Sequence, residues 1–160
     1  MLKQEQNAQL WDLIKDIKIA MMVTNDGGKM RARPMHMVQD DFEGLIWFFT
    51  DVNSEKVDEV ILDEGVCLAY SAPDDDSFVS ITGTASINKD QALIDRFWNP
   101  FVAAWFPEGK DSGSVGLIEV KVDEAEIWDA KKNKMVQLYE IAKANVKNQE
   151  PDLGENKKFG

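Results

Sequence analysis

Two spacings of hydrophobic residues along the chain predict its helices and strands. Leu10, Leu13, Ile14 and Ile17 recur at helical spacing, which predicts an amphipathic helix over residues 2–18. Residues 78–87 alternate between apolar and polar side chains, which is typical of a half-buried antiparallel strand. Further strands are predicted at 19–24, 30–39, 45–50, 66–72 and 115–129, the last one bent or bulged, and further helices at 54–62, 89–98, 101–106 and 135–146. The polar terminus, 148–160, is expected to be frayed.

Short turns between the strands indicate the fold class. Asn25-Asp26-Gly27-Gly28 is a strong hairpin signal, and Asp40-Asp41-Phe42-Glu43-Gly44 turns the chain again. The strands follow one another too closely for the crossover helices that a parallel sheet requires. Antiparallel sheets of this kind usually close on themselves to remove their edges. We therefore predict a mainly β, α+β fold, with about six antiparallel strands closing into a β-barrel and helices on the outside.

The strand predicted at 30–39 has two chemically different faces. Arg31, Arg33 and Met35 share one face, and Pro34 and His36 lie on the other. Pro34 cannot donate a ladder hydrogen bond, so it indicates an edge strand, a bulge or a break. The sequence leaves open whether Arg31 assists an anion site or lies on the surface.

Composition and charge narrow the classes of partner. The 160 residues are 44% hydrophobic and 29% charged, as in an ordinary single globular domain. The formal net charge of −11 argues against nucleic acid and anionic membranes, although it allows one small anionic ligand in a cationic cleft. The sequence contains no apolar run that could span a bilayer and no apolar signal-peptide core, so we expect a cytoplasmic protein.

The single cysteine and single histidine restrict the chemistry further. Cys67 allows no intrachain disulfide, and its apolar strand favours an inert core thiol over a reactive one. His36 fits a structural or solvent-facing role better than that of a catalytic base. One histidine and one cysteine cannot form a typical zinc site, and Asp74-Asp75-Asp76 resembles a solvated turn more than a calcium loop, so no metal site is predicted.

The segment 48–56 is the most informative candidate site. It joins a strand end to a helix start, where free N–H groups and a partial positive charge favour an anion. Ser54 adds a hydroxyl, Lys56 adds an ammonium, and Arg33 on a neighbouring strand offers a bidentate guanidinium. Together they could form a phosphate cradle. The alternative is a capped helix with a surface lysine.

The order and spacing of several short motifs resemble a known family. Arg33-Pro34-Met35 is followed by a hairpin, then by Phe49-Thr50-Asp51-Val52-Asn53-Ser54-Glu55-Lys56, by Gly83, and by Ala125-Glu126-Ile127-Trp128. This pattern, over roughly residues 3–130, resembles the pyridoxamine 5'-phosphate oxidase-like superfamily and, within it, the general stress protein 26 branch. The resemblance implies a split β-barrel at 1–130 that binds FMN at the interface of a homodimer. Residues 131–160 would be a C-terminal helix and polar tail of the same domain.

The resemblance also implies roles for individual residues. Arg33, Ser54 and Lys56 correspond to residues that contact the FMN phosphate, and Thr50 corresponds to a strand-end threonine near the flavin. Trp128 corresponds to a tryptophan that reaches the flavin from the other subunit. The full set of cofactor-binding residues expected on this basis is Arg33, Pro34, Met35, Phe49, Thr50, Ser54, Lys56 and Trp128.

Departures from the family pattern limit the expected activity. Glu55 replaces the middle arginine of a Ser-Arg-Lys motif, and no lysine follows Arg33 within its strand. The Arg-x-His element that follows the tryptophan in the oxidase is missing after Trp128. We therefore expect flavin binding without vitamin B6 oxidase activity, with FAD as an alternative to FMN.

The sequence leaves open three possible functions and the role of one aromatic segment. The protein could be a flavin-dependent oxidoreductase of unknown substrate, a non-catalytic flavin carrier of the stress-protein type, or a dimer whose barrel is purely structural. The aromatic segment 98–106 fits core or dimer packing, and the alternative is a lid over the flavin.

Overall fold

Antiparallel strands form one curled sheet in a computed structural model that describes residues 2–130 and 134–160, with the side chains of 134–137 outside that description. The seven strands in this part are β1 (Ile19–Asp26), β2 (Lys29–His36), β3 (Leu45–Asp51), β4 (Gly65–Ala72), β5 (Ser77–Asn88), β6 (Val115–Asp129) and β7 (Glu155–Phe159). They pair in the order β2-β1-β4-β5-β6-β3, and β7 pairs with the second half of β6. The predicted fold class is confirmed.

A seam between β2 and β3 keeps the barrel split. The two strands end the pairing order, and they meet only beyond the end of β2, where Met37 bridges Phe48. The Val38 N–H donates to the Trp47 carbonyl at 3.1 Å at the same place. β2 is an edge strand over most of its length, so Pro34 withholds no hydrogen bond from a second neighbour. Of the three alternatives raised by Pro34, an edge strand, a bulge or a break, the structure shows the edge strand.

Two hydrophobic clusters lie on opposite sides of the sheet. The larger fills the curl, with Met22, Phe48, Leu68 and Ile81 fully buried. The smaller cluster lies against the outer face of β3 and β6, and its buried members are Ile94, Phe97, Val115 and Leu117. Both strands are therefore apolar on both faces, as their sequences show. Burial on both faces fixes the position of β3, whose far end carries part of the candidate site.

Five α-helices flank the sheet in the described part of the chain. They are α1 (Gln4–Ile14), α2 (Glu55–Leu62), α3 (Gln91–Phe97), α4 (Pro100–Trp105) and α5 (Lys134–Lys147). All five were predicted, although α1 is shorter than expected because Lys18 takes a positive φ and turns the chain into β1. None of these helices, within residues 2–130 and 134–160, is long and apolar enough to cross a membrane.

The long strand β6 is bulged, as predicted. Thr82 pairs with Glu124 and Gly83 with Val122, so Asp123 is the additional residue on β6. Gly83 sits where a Cβ atom would come 2.6 Å from Val120 Cγ1, so the sheet requires a residue without a side chain there. The bulge increases the local twist and helps the sheet to curl.

The expectation of a frayed terminus over 148–160 is wrong. β7 pairs with residues 125–129 of β6, and Phe159 is buried in the larger core cluster. The strand escaped prediction because its other four residues are polar and exposed, so it shows no apolar alternation. Its presence raises the strand number from the expected six to seven in the described part of the chain.

Candidate functional site

A cavity of about 510 Å³ opens at the seam between β2 and β3. Its walls come from the end of β2, the end of β3, the start of α2, and α4. The lining residues are Ile19, Pro34, Met35, His36, Val38, Phe49, Thr50, Asp51, Lys56, Phe101, Val102, Trp105 and Phe106. Most of the wall is apolar or aromatic, and Thr50, Asp51 and Lys56 supply a polar end.

Aromatic side chains on and after α4 form one wall of the cavity. Phe101 and Trp105 remain 52% and 72% exposed, although they are large and apolar. Phe106 also lines the cavity and packs against Phe49 and Trp98 in the smaller cluster. The core packing expected for the segment 98–106 is seen at Trp98, whereas Phe101 and Trp105 line the cavity, and the alternative of a lid over the flavin stays a prediction.

The turn from β3 into α2 places three polar side chains together. Thr50 is buried at the strand end, and its Oγ1 lies 3.4 Å from Ser54 Oγ. The Lys56 ammonium donates to Ser54 Oγ at 3.4 Å. Ser54 occupies the N-cap position, but its hydroxyl donates to the Asp51 carbonyl at 2.7 Å and does not cap α2. The simple alternative of a serine-capped helix therefore does not describe this turn.

The Lys56 ammonium lies in a partly desolvated and cationic environment. Burial lowers the pKa of Lys56, the charge of Arg33 lowers it further, and Asp51 and Glu59 act in the opposite direction. Arg33 contacts Glu59, which lies three residues after Lys56 on α2, so the guanidinium from β2 reaches the same first turns of the helix. An ammonium at a helix start, beside two hydroxyls, forms an environment that favours an anion.

Arg33 is held by residues behind the turn. Its Nη2 donates to Glu59 Oε2 at 2.8 Å, and its Nη1 donates to Thr24 Oγ1 at 2.9 Å. The Thr24 hydroxyl in turn donates a short hydrogen bond to Glu59. Arg33 does not itself line the cavity, although its neighbours Pro34 and Met35 do, and its guanidinium is engaged by its own chain.

Arg31 neutralises the acidic residue that departs from the family pattern. Its Nη1 lies 2.9 Å from Glu55 Oε2 and 3.3 Å from Glu59 Oε1. The extra anion that Glu55 places at the start of α2 is therefore paired with a cation from β2. Of the two roles left open for Arg31, the structure displays the surface one: the side chain is 45% exposed and pairs with these carboxylates.

His36 lines the cavity, which the sequence did not predict. It lies on the face of β2 opposite Arg33, as expected, and its ring centroid is 4.7 Å from that of Phe101. Burial lowers the pKa of His36, and the nearby charge of Lys18 lowers it further, so the neutral imidazole is favoured. An alternating strand hides this placement, because the sequence does not reveal that β2 ends at a cavity.

The outward face of the sheet carries exposed apolar residues that do not line the cavity. Met21 and Trp128 are each 40% exposed, and Phe78, which pairs with Trp128, is 39% exposed. Cys67 lies on this face and is half-buried, with its Sγ 3.7 Å from Ser80 Oγ, so it is not the core thiol expected from its apolar strand. The segment after Trp128, in which the Arg-x-His element is missing, continues into residues 131–133, outside the described part of the chain.

The structure brings most of the predicted binding residues to one place. Pro34, Met35, Phe49, Thr50 and Lys56 line the cavity, and Ser54 contacts two of them. Arg33 does not line the cavity but contacts Glu59 on α2, and Trp128 lies on the outward sheet face of the same chain. Of the lining residues that the sequence does not predict to bind cofactor, Asp51 lies within the candidate segment 48–56 and the residues of 101–106 lie in the aromatic segment, whereas Ile19, His36 and Val38 carry no local signal of a cavity.

These features define an antiparallel split-barrel protein with an aromatic cavity at its seam and a cationic turn at one end of the cavity. The family model described as pyridoxamine 5'-phosphate oxidase like matches residues 5–152, and the chain belongs to that family. The resemblance identified from the motifs is confirmed.

Relatives and solved structures support the assignment. The protein bli-3 of Neurospora crassa is 28% identical over 140 residues, which cover 81% of this chain and 67% of that protein. A crystal structure from Jannaschia sp. CCS1, described as a general stress protein 26, has a TM-score of 0.76 and 27% identity and covers 98% of each chain. The general stress FMN/FAD binding protein of Xanthomonas citri has a TM-score of 0.70 and 32% identity, covering 82% of this chain and 93% of its own.

Proposed function

We propose that the chain is a flavin-binding protein of the general stress type that holds FMN at the seam of its barrel. The single observation that carries this proposal is the joining of an aromatic cavity to a cationic turn in one continuous wall. A flavin mononucleotide has the matching parts, a flat aromatic ring system and a phosphate at the end of a chain. The similarity to an FMN/FAD binding protein from Xanthomonas citri supports the same ligand class.

The residues of the cavity fit the proposed ligand in size and chemistry. A volume of about 510 Å³ falls within the range of roughly 300–1,000 Å³ that small-molecule sites occupy. The apolar wall formed by Pro34, Met35 and Phe49 would contact the ring system. Ser54, Thr50 and Lys56 would hold the phosphate, with Arg33 supporting them, because hydroxyls, an ammonium and free helix N–H groups all favour an anion.

We propose that the protein is a flavin-dependent oxidoreductase of unknown substrate. When bound, FMN supplies the electron- or hydride-transfer chemistry, and the protein supplies position and electrostatics. With FMN bound, Phe101 and Trp105 would limit the access of water to the flavin ring system. His36, the one histidine of the sequence, also lines the cavity. The missing Arg-x-His element leads us to expect no oxidation of vitamin B6 phosphates.

We propose further that the protein is a homodimer, with the outward face of β1, β2 and β4 at its interface. Exposed apolar patches on a sheet face usually mark a contact surface. This face carries Ile19, Met21, Met30, Ala32 and Pro34 in exposed positions. Pro34 and Ile19 also line the cavity, so a partner seated there would complete its wall.

The cofactor proposal is tested by an absorbance spectrum of freshly purified protein, followed by mass spectrometry of what denaturation releases. We expect absorbance bands typical of flavin and the mass of FMN. The mass of FAD would correct the cofactor and keep the class. A colourless protein that takes up neither added flavin would refute the proposal and leave the structural dimer.

The activity proposal needs a second measurement on the flavin-loaded protein. We expect NADPH or NADH to bleach the flavin under anaerobic conditions and air to restore its colour. A flavin that neither nucleotide reduces, but that dithionite does reduce, would identify a carrier. Pyridoxamine 5'-phosphate added to the oxidised protein serves as the control and should leave the spectrum unchanged.

A further inference from the structure

A buried ionic cluster lies behind the candidate phosphate site. Glu59, on the inward face of α2, is 7% exposed in its side chain and contacts Arg33, Arg31 and Thr24. Thr24 is fully buried on β1, and Arg33 is 18% exposed on β2. Three elements, the helix and two strands, are therefore joined by one set of polar contacts.

The guanidinium of Arg33 is fixed at two points. Nη2 donates to the Glu59 carboxylate at 2.8 Å, and Nη1 donates to the Thr24 hydroxyl at 2.9 Å. Thr24 also donates to Glu59, so the three side chains close a triangle. A guanidinium has more N–H donors than these two bonds occupy, so Arg33 keeps donors for another acceptor.

Such a fixed arginine differs from an arginine that is free to move. Arg33 is on an edge strand, and an unrestrained side chain of this length would lose considerable rotamer entropy on binding an anion. A guanidinium held in advance loses less, because its ordering has already occurred on folding. Glu59 lies three residues after Lys56 on α2, so its contact with Arg33 holds the guanidinium within about one helical turn of the residue that carries the ammonium.

We propose that Glu59 and Thr24 are positioning residues that hold the Arg33 guanidinium ready beside the anion site, and that they thereby set the preference for a phosphorylated flavin. This inference rests on the proposed function. Neither residue lines the cavity. Their effect on the ligand passes through Arg33, so it reaches the phosphate and leaves the ring system unaffected.

The test compares FMN with riboflavin, which has the same ring system and no phosphate. Thr24→Val removes the hydroxyl and keeps the shape, whereas Thr24→Ser keeps the hydroxyl. We expect Thr24→Val to weaken FMN binding about five- to tenfold, the scale of one ordinary hydrogen bond, with riboflavin affinity unchanged. Thr24→Ser should restore the wild-type ratio of the two affinities. Fluorescence titration of the flavin measures both.

A double-mutant cycle with Arg33 separates positioning from a general structural effect. If Thr24 acts through Arg33, Thr24→Val in an Arg33→Ala background should cause no further loss of FMN affinity. An equal loss in both backgrounds would overturn the inference. So would a Thr24→Val protein that keeps the wild-type ratio of FMN to riboflavin affinity.

Glu59→Gln provides a second variant that keeps the shape and hydrogen-bonding capacity of the side chain and removes its charge. We expect it also to lower the FMN to riboflavin ratio, and this variant decides the question if Thr24→Val does not fold. A tighter binding of FMN by Glu59→Gln would mean that the carboxylate only competes with the phosphate, and it would refute the positioning role.

The two proposals fail in different ways. Wild-type protein that binds no flavin, or binds FMN no more tightly than riboflavin, would refute the phosphate site of the proposed function. Wild-type protein that prefers FMN, together with variants that show the same preference, would refute only the positioning role of Glu59 and Thr24.

Discussion

Lys56 is the residue whose substitution most directly tests the anion site. Its ammonium donates to Ser54 Oγ and lines the cavity. We expect Lys56→Ala to weaken FMN binding by about 1.5–3 kcal/mol, the scale of a hydrogen bond between charged groups, and to leave riboflavin binding unchanged. Isothermal titration measures both affinities. Lys29→Ala, at the exposed hairpin turn, is the matched control. Equal FMN affinity in the Lys56→Ala and Lys29→Ala proteins would contradict the assignment.

Glu59 supports a second prediction at this scale, on the dependence of stability on pH. Burial alone would raise the pKa of Glu59, but the hydrogen bonds from Thr24 and Arg33 and the charges of Arg33 and Arg31 lower it overall. A carboxyl with a lowered folded-state pKa stabilises the protein above its unfolded value of about 4.3, and that contribution is lost as the pH falls through the folded value. Below about pH 4.5, the unfolding free energy of wild type should therefore decrease more steeply than that of Glu59→Gln.

Urea denaturation at several pH values between neutral and acid conditions measures this difference. The other carboxyls titrate in both proteins, so the difference between the two curves isolates Glu59. Curves that stay parallel through the acid range would show that the carboxylate is not stabilised by its arginine partners.

The binding residues found from the sequence share a property that the missed ones lack. Ser54 and Lys56 follow a strand at a helix start, so the local sequence alone indicates an anion site. His36 and Val38 line the cavity only because β2 and β3 part at the seam, and this separation depends on pairing between residues far apart in the chain. Local patterns carry no information about such a separation.

Gly83 tests the close packing that allows β5 and β6 to bend together. A Cβ atom there would lie 2.6 Å from Val120 Cγ1 and 2.7 Å from the Lys121 carbonyl oxygen. The second contact is with backbone, so the strands must shift to admit a methyl group. We expect Gly83→Ala to lower the unfolding free energy by about 1–3 kcal/mol, the cost of overpacking.

Gly65→Ala is the control for this element-scale prediction. Gly65 lies on neighbouring β4, and its nearest contact for a Cβ atom is at 3.4 Å, on the flexible side chain of Asp63. The unfolding free energy of the Gly65→Ala protein should remain near that of wild type. Equal stability of the two alanine variants in chemical denaturation would show that the bulge tolerates a side chain.

The C-terminal strand β7 leads to a further prediction at the scale of elements. Phe159 is the one buried residue of β7 and belongs to the larger core cluster. We expect Phe159→Ala to destabilise the protein by about 3 kcal/mol, because it removes a large buried side chain and leaves a cavity. Lys157→Ala, exposed on the same strand, should have little effect. Identical melting temperatures of the two variants would show that β7 contributes nothing to the core.

For the whole molecule, the sequence predicted the fold class because its signals are local and repeated. Hairpin turns, alternating strands and the absence of crossover helices all lead to an antiparallel barrel. Neither β7 nor the position of the seam was predicted, and the reason is different. The strand is polar and depends on pairing with β6, and the seam depends on which two strands end the pairing order. Tertiary contacts decide both features.

The outward sheet face connects the fold of one chain to the proposed dimer. Met21 lies between Pro34 on β2 and Ala69 on β4, and it is 40% exposed in the single chain. A glutamate at this position would place a charge in the middle of an apolar contact, where it would lose its hydration without gaining a partner. We therefore expect Met21→Glu to shift the protein from dimer to monomer in sedimentation velocity. Val146→Glu, at an apolar and more exposed position on α5, should leave the dimer intact.

The same variant links oligomeric state to cofactor binding and to the exposure of a thiol. Because Ile19 and Pro34 border both the outward face and the cavity, the loss of a partner should also weaken FMN binding. Cys67 lies beside Val23 on this face, so its Sγ should react faster with a thiol reagent in Met21→Glu than in wild type. A Met21→Glu protein that remains dimeric with an unchanged thiol rate would place the interface elsewhere. A monomeric wild-type protein that binds FMN would refute the dimer, and the cavity at the seam would then have to be complete within one chain.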